Sequence, residues 1–360
     1  MDSDKEIQTP LIYKRMSLDE DYYNFAYEVK KLSSLQIWRE IYFRPITNGS
    51  LRASILCLLS VTLGSSFLSL PYLMKSQGII LCLVLFFLSA FACHWTLKIL
   101  SQVSIKEGLY EYSDMVMAFY SNRMAHFTTA MCLICNIGSV VAWNKFISDI
   151  MSNLVDYLKL PEMFGDTEYT KILLSMSIVL FIQVPCCTFN VFARFHVLSL
   201  VGSLLIIYII FVSIFEWPYF FQMNYSWEKL KFFNLNMDTL DTLCIFFFSF
   251  GNHSTILNAI SELDPNTEKR IKILVNYTSF SETFLYLVTM LVGYFSTYDL
   301  TDEIYINRPY QSLFMIAGKI LYMGVMICNI GLYYYMIKPY FEFKKEEDRF
   351  KLEQEGFNLR

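Results

Sequence analysis

Two short stretches of this chain set groups capable of chemistry inside long apolar runs. The first holds Ser60, Thr62, Gly64, Ser65, Ser66 and Ser69 and is closed by Pro71. The second holds Gly251, Asn252, His253, Ser254 and Thr255, directly after a dense apolar run that ends at Phe250. Glycine lets main chain approach a bound group closely. The amides of Gly64, Ser65 and Ser66 could then point at a carboxylate, as helix N-termini do. The competing reading of the first stretch is helix packing through small residues. A histidine and an asparagine in an apolar segment are costly unless they face a cavity or a partner. His253 therefore lines a solute site, relays a proton with its ordinary pKa of about 6.5, or is a satisfied core histidine.

Other polar side chains carry less. Gly138, Trp143, Asn144 and Lys145 share one apolar segment, where Trp143 floors a solute pocket or, the favoured reading, simply packs. Lys319 is either deep and functional or extends its stem to the surface. Asn329 is the strongly polar side chain in the latter half of the same segment. Glu282 needs a partner that the sequence does not name. Neither GxSxG, HExxH nor a phosphate-binding GxxxxGK[ST] loop occurs, so neither an enzyme nor ATP-driven pumping by this chain is expected. Cys132 and Cys135 form a CxxC with no second pair at zinc spacing, so they read as small buried hydrophobes and no metal is expected.

These stretches must be positioned by membrane-spanning helices. Hydrophobic residues make up 55% of the 360 positions and charged residues 17%, with a mean hydropathy of +0.38. Soluble chains carry about 25% charged residues. The net charge of -4 gives no basic surplus for a nucleic acid partner. A span needs about 20 apolar residues. Eight segments qualify: 51–74, 78–101, 125–150, 171–190, 195–216, 239–262, 272–296 and 311–337. With the N-terminus in the cytosol, the inner loops carry about three times as many Lys and Arg as the outer ones. Both termini are then cytosolic. Residues 1–50 form a cytosolic arm with no cleavable signal, and 51–340 the membrane domain. A charged cytosolic tail covers 341–360, and 103–122 reads as a short amphipathic helix. Segment 22–43 is an interfacial helix or a loosely ordered tail. Asn224, in the sequon Asn224-Tyr225-Ser226 of an outer loop, is a candidate glycan acceptor.

The stretch from Gly64 through Pro71-Tyr72, closing with Gln77-Gly78, resembles the first-helix signature of the amino acid/auxin permease family. Phe248-Ser249-Phe250-Gly251-Asn252-His253-Ser254, running to Glu262-Leu263, resembles that family's sixth-helix motif. Weaker similarity extends the resemblance over about 50–340 of the sequence. It implies an all-α polytopic membrane protein with the LeuT-type inverted-repeat fold of the APC superfamily. Of the eleven helices implied, eight are present, so the second repeat is read as incomplete.

The implied activity is secondary active transport of neutral amino acids by alternating access, coupled to H⁺ or Na⁺ with no other cofactor. The implied substrate site is Gly64, Ser65, Ser66, Trp143, Phe250, Gly251, Asn252 and His253, and the implied cation site is Ser60 and Asn329. Ser60 stands where sodium-coupled members carry asparagine, which tilts the expectation to H⁺. The alternatives are a non-transporting amino-acid sensor or a degenerate member of the family. Lipids are the expected surroundings, with a partner chain if eight helices are the whole product. The membrane is the plasma membrane or a vacuolar/endosomal one.

Overall fold

The computed structural model describes residues 50–157, 195–263, 266–307 and 312–327, with isolated positions between 173 and 181. All regular structure among them is helical. The N-terminal arm, the segment expected to span at 171–190, Asn329 and the C-terminal tail lie outside the described residues.

Helix α1 (Leu51–Thr62) starts where the Ser50 hydroxyl accepts from the Ala53 amide at 3.3 Å. It ends at Thr62, and α2 (Ser65–Gln77) follows at an angle of 51° to α1. Leu63 and Gly64 lie between them. α2 continues through Pro71 and ends at Gly78, whose φ of +80° suits only glycine. α3 (Ile79–Glu107) follows and is closed by Gly108 at φ +67°. Its 29 residues extend roughly 44 Å, longer than the hydrocarbon thickness. The expected amphipathic helix of the next segment is α4 (Tyr112–Phe119), followed by α5 (Asn122–Tyr157) and α6 (Phe195–Asn224). The sixth expected span is two helices, α7 (Asp238–Ser249) and α8 (His253–Ser261), separated by Phe250, Gly251 and Asn252. α9 (Glu268–Thr297) is capped by the Thr267 hydroxyl, and α10 (Leu313–Ile327) follows two short 3₁₀ turns. In the first turn of α9, Glu268 pairs with Lys272 at 2.6 Å. The hydrogen bond from Lys272, then its charge, holds the Glu268 carboxyl below the usual range.

By length and apolar content, α3, α5 and α6 can each cross a membrane, and the bent pair α1–α2 can do so as one span. The eight-span reading is thus only partly met by this measure. α9 shows why the measure misses some helices. Its Thr278, Ser279, Glu282 and Thr289 are buried, whereas Tyr277, Phe280 and Phe284 face outward. The outside of the bundle is equally apolar on α3, where Ile80, Val84, Phe87, Phe91 and Trp95 are exposed. A soluble protein rarely shows such a surface. Polar groups inside and large apolar groups outside are what lipid requires.

Connections expected on one side of the membrane meet at one end. Lys75 Nζ donates to Thr301 O at 2.8 Å, and Lys229 pairs with Asp299 at 3.1 Å. The Ile79 and Ile80 amides bond Lys231 O and Phe232 O, and the Asn234 amide bonds Gln77 O. A Cβ on Gly78 would lie 2.8 Å from the Phe232 carbonyl carbon, so this lacing requires glycine. At the opposite end Leu51, Leu97, Met115, Leu263 and Ile271 share one apolar cluster, and Asn266 bonds Tyr110.

Candidate functional site

A helix that breaks inside an apolar bundle exposes carbonyls on one side of the gap and amides on the other. In hydrocarbon each unsatisfied group costs several kcal/mol. Both breaks fall where glycine and small polar residues interrupt the sequence, and α9 lies against both.

The carbonyl sides are met by tyrosines. Tyr286 of α9 brings its hydroxyl 2.6 Å from Thr62 O, at the end of α1, and 3.0 Å from Ser249 O, at the end of α7. One hydroxyl hydrogen is thus shared between the two breaks. Tyr322 of α10 lies 2.9 Å from Leu63 O and 2.8 Å from Gly64 O. Both tyrosines are fully buried. One turn before Tyr286, Glu282 presents a single oxygen to both breaks. Its Oε1 accepts from the Thr62 hydroxyl at 2.6 Å and from the Asn252 amide nitrogen.

The amide sides differ. Gly64 is the N-cap of α2 and Asn252 that of α8, yet neither provides a side-chain cap. Asparagine at this position ordinarily turns back onto its own helix. Here the side chain is spent on Glu282. Neither first turn is therefore closed by its own cap, and a first turn carries partial positive charge that favours a carboxylate.

Gly64 lies under the indole of Trp143, and a Cβ there would come 2.3 Å from Trp143 Cζ2. Trp143 is buried against this break and shapes it, so packing and proximity to the site coincide. Ser66 is buried in the first turn of α2. Phe250 is buried between two rings, 5.3 Å from Tyr286 and 5.4 Å from Phe86. Gly251 remains exposed in the second break. His253 turns toward α3, with Nε2 2.7 Å from Thr96 Oγ1. It therefore sits beside the second break and does not bridge to the first. Ser65 belongs to the break by its backbone.

Ser60 is buried near α6, where a Cβ on Gly202 would meet its Oγ at 2.8 Å and Val325 of α10 at 3.0 Å. Lys319, for which the sequence allowed a stem reaching outward, is wholly buried and donates to Asn153 Oδ1 of α5 at 2.6 Å. Asn224 is also turned inward. Its amide nitrogen, which a glycan would need, donates to Ser296 O at 3.0 Å. Sequence reasoning singled out neither Tyr286 nor Tyr322 and left Glu282 without a partner. The usable signal was a glutamate and a tyrosine four residues apart, on one face of a helix.

Compared with known proteins, residues 47–355 match the family described as transmembrane amino acid transporter protein. A Plasmodium berghei protein provisionally named amino acid transporter AAT1 is 21% identical over 313 residues, covering 85% of this chain and 49% of its own length. Vacuolar amino acid transporter 7 of Saccharomyces cerevisiae is 23% identical over 297 residues, covering 78% of this chain and 56% of its own. Vacuolar amino acid transporter 5 of Schizosaccharomyces pombe is 23% identical over 290 residues, covering 78% and 66%. The chain spans about half the length of the first of these relatives. The family and these relatives are membrane transporters and not enzymes. With most of its length inside the family match, the chain belongs to the transmembrane amino acid transporter proteins.

Proposed function

We propose that this chain carries the substrate site of a secondary active transporter of neutral amino acids. It works by alternating access within a LeuT-type inverted-repeat arrangement and is coupled to H⁺ or Na⁺. The observation that carries this reading is the pair of broken helices, α1–α2 and α7–α8, joined through α9. A zwitterion needs an anion-binding first turn and an enclosing wall. The first turn of α2, at Gly64, Ser65 and Ser66, is the carboxylate site, and Trp143 covers it. Phe250, Gly251, Asn252 and His253 form the second break, with Phe250 as an apolar wall. Ser60, with Asn329, is the candidate ligand pair for a coupling cation. The vacuolar names of two fungal relatives favour a vacuolar or endosomal membrane over the plasma membrane. The distribution of Lys and Arg favours both termini in the cytosol.

The test is uptake of a panel of radiolabelled amino acids by the purified full chain in liposomes, under imposed pH and Na⁺ gradients. Saturable accumulation of a neutral amino acid driven by either gradient is the expected result. Binding without flux would refute transport by this chain and leave a sensor. Neither binding nor flux for any amino acid would refute the site itself.

A further inference from the structure

Glu282 is a carboxyl group in the interior of the bundle, placed between two helix breaks, and the transport reading above assigns it no role. Its surroundings are unusual in what they offer. Among the described residues no Lys, Arg or His side chain forms an ion pair with it. Its hydrogen-bond partners are a hydroxyl and an amide, Thr62 and Asn252, and both can reverse their roles.

Thr62 has one hydroxyl hydrogen and two good acceptors for it. Leu58 O lies at 2.9 Å and Glu282 Oε1 at 2.6 Å. Asn252 is equally two-faced. Its Nδ2 meets Glu282, while its Oδ1 is buried with no hydrogen-bond partner among the described residues. Such an orphaned acceptor is a standing cost for a buried polar group. Turning the amide over would present Oδ1 to Glu282, which satisfies it only if Glu282 carries a hydrogen.

We propose that Glu282 is a proton-binding site whose occupancy sets how tightly the two helix breaks are held together. With the carboxyl ionised, Oε1 accepts from Thr62 and from Asn252, and both breaks are tied to α9. When a proton adds to the carboxylate, the new O–H has one hydrogen to give. It donates that hydrogen bond to Asn252 Oδ1 after the amide turns. Alternatively it donates to Thr62 Oγ1, whose own O–H then turns to donate to Leu58 O. One tie is reversed and the other is weakened. Tyr286 remains on both carbonyls, so the breaks stay adjacent while their grip changes.

The groups facing this site are few. α3, packed against α9, brings the buried thiol of Cys93. α9 itself adds Tyr286, which is bonded to Thr62 O and Ser249 O. α8 contributes Asn252, and the neighbouring His253 is directed to Thr96 on α3. From α1 comes Thr62, and α10 reaches the first break through the Tyr322 hydroxyl. The use of this site in coupling rests on the transport reading; the proton site itself does not.

The experiment uses the full chain in liposomes, with infrared difference spectra and hydrogen exchange followed against pH. A protonated-carboxyl band that titrates in the wild type and is lost in Glu282→Gln is expected. With it, the pH dependence of exchange at 60–66 and 249–253, beyond the intrinsic base catalysis, is also lost. If Glu282→Gln is not recovered folded, Glu282→Asp replaces it and must move the band's midpoint. The inference is overturned if no titrating band belongs to this position, or if the midpoint is the same in the aspartate variant. A third arm follows an internal pH dye during L-alanine addition. A titrating band in a chain that takes up no amino acid of the panel under either gradient leaves the proton site standing and removes the transport reading. L-alanine flux without a titrating band does the reverse.

Discussion

Tyr286→Phe removes one of the two ties that α9 makes to the helix breaks, the other being Glu282. The substitution keeps the ring, so the edge-to-face packing on Phe250 at 5.3 Å survives and no cavity opens. What disappears is one hydroxyl serving two buried carbonyls, Thr62 O and Ser249 O. Leaving a buried carbonyl unpaired costs about 1–3 kcal/mol. The single hydrogen was shared, so the total loss is nearer one such cost than two. A local opening equilibrium therefore rises about 5- to 150-fold. The assay is hydrogen exchange by mass spectrometry on peptides covering 58–66 and 246–253. Tyr286→Phe is expected to accelerate exchange in both peptides together. Tyr322→Phe, whose hydroxyl serves Leu63 O and Gly64 O, is expected to accelerate the first and leave the second at the wild-type rate. Equal acceleration of both peptides by both variants, or none in the second peptide for Tyr286→Phe, would refute the assignment of α9 as the bridge.

Gly64→Val is expected to abolish uptake while the protein still inserts, because a Cβ at 2.3 Å from the Trp143 ring cannot be accommodated. Such overpacking costs about 1–3 kcal/mol, and Gly64→Ala with Trp143→Phe should recover binding of a neutral amino acid that Gly64→Ala alone loses. Gly78→Ala, at φ +80° and 2.8 Å from the Phe232 backbone, is expected to lower the melting temperature and to accelerate exchange in 230–236. Asn153→Ala removes the acceptor 2.6 Å from the buried Lys319 ammonium. A loss of about 1.5–3 kcal/mol is expected from a hydrogen bond to a charged group, measured as a shift in thermal unfolding, and Lys319→Met in the Asn153→Ala background should restore part of it. Glu268 holds its charge through Lys272, so its stabilising pairing is present above the ordinary carboxylate range. It should fade only as pH falls through the lowered value, and Lys272→Ala should remove that dependence from exchange at the start of α9.

The breaks themselves were legible. Gly64 among serines and Gly251-Asn252 after a phenylalanine run are local signals, and local signals need no tertiary knowledge. The helix end at Gly108 was not read, and it divides the segment 103–122 that the sequence reading took as one short helix. The pairings were not legible. Thr62 and Glu282 are 220 residues apart, and nothing in either neighbourhood names the other. Asn252 was placed in the solute site by the family resemblance, while its polarity in an apolar run left a cavity or a partner open, and the bond to Glu282 supplies a partner. Lys319 shows the limit from the other side. A long basic side chain in a span can reach outward or be held by a partner, and the placement of Asn153 on α5 gives Lys319 a partner inside. Composition also understates α9, whose polar face is turned inward where a mean over the helix cannot see it.

The two sides of each break are treated differently, and this bears on the choice of coupling ion. Main-chain carbonyls at a broken helix are natural cation ligands, whereas the first-turn amides favour anions. Here Thr62 O, Leu63 O, Gly64 O and Ser249 O all face tyrosine hydroxyls, while the first turns of α2 and α8 lack side-chain caps. A sodium ion at the carbonyl side would have to displace a buried hydroxyl that already satisfies it. A substrate carboxylate at the amide side displaces no such cap. The asymmetry weighs toward H⁺ as the coupling ion and toward an anion-seeking pocket. Uptake of a neutral amino acid under a pH gradient is therefore expected to persist when external Na⁺ is replaced by choline. A fall to background in choline would mean that the tyrosines yield those carbonyls to a cation during transport, and the assignment of the ion would reverse.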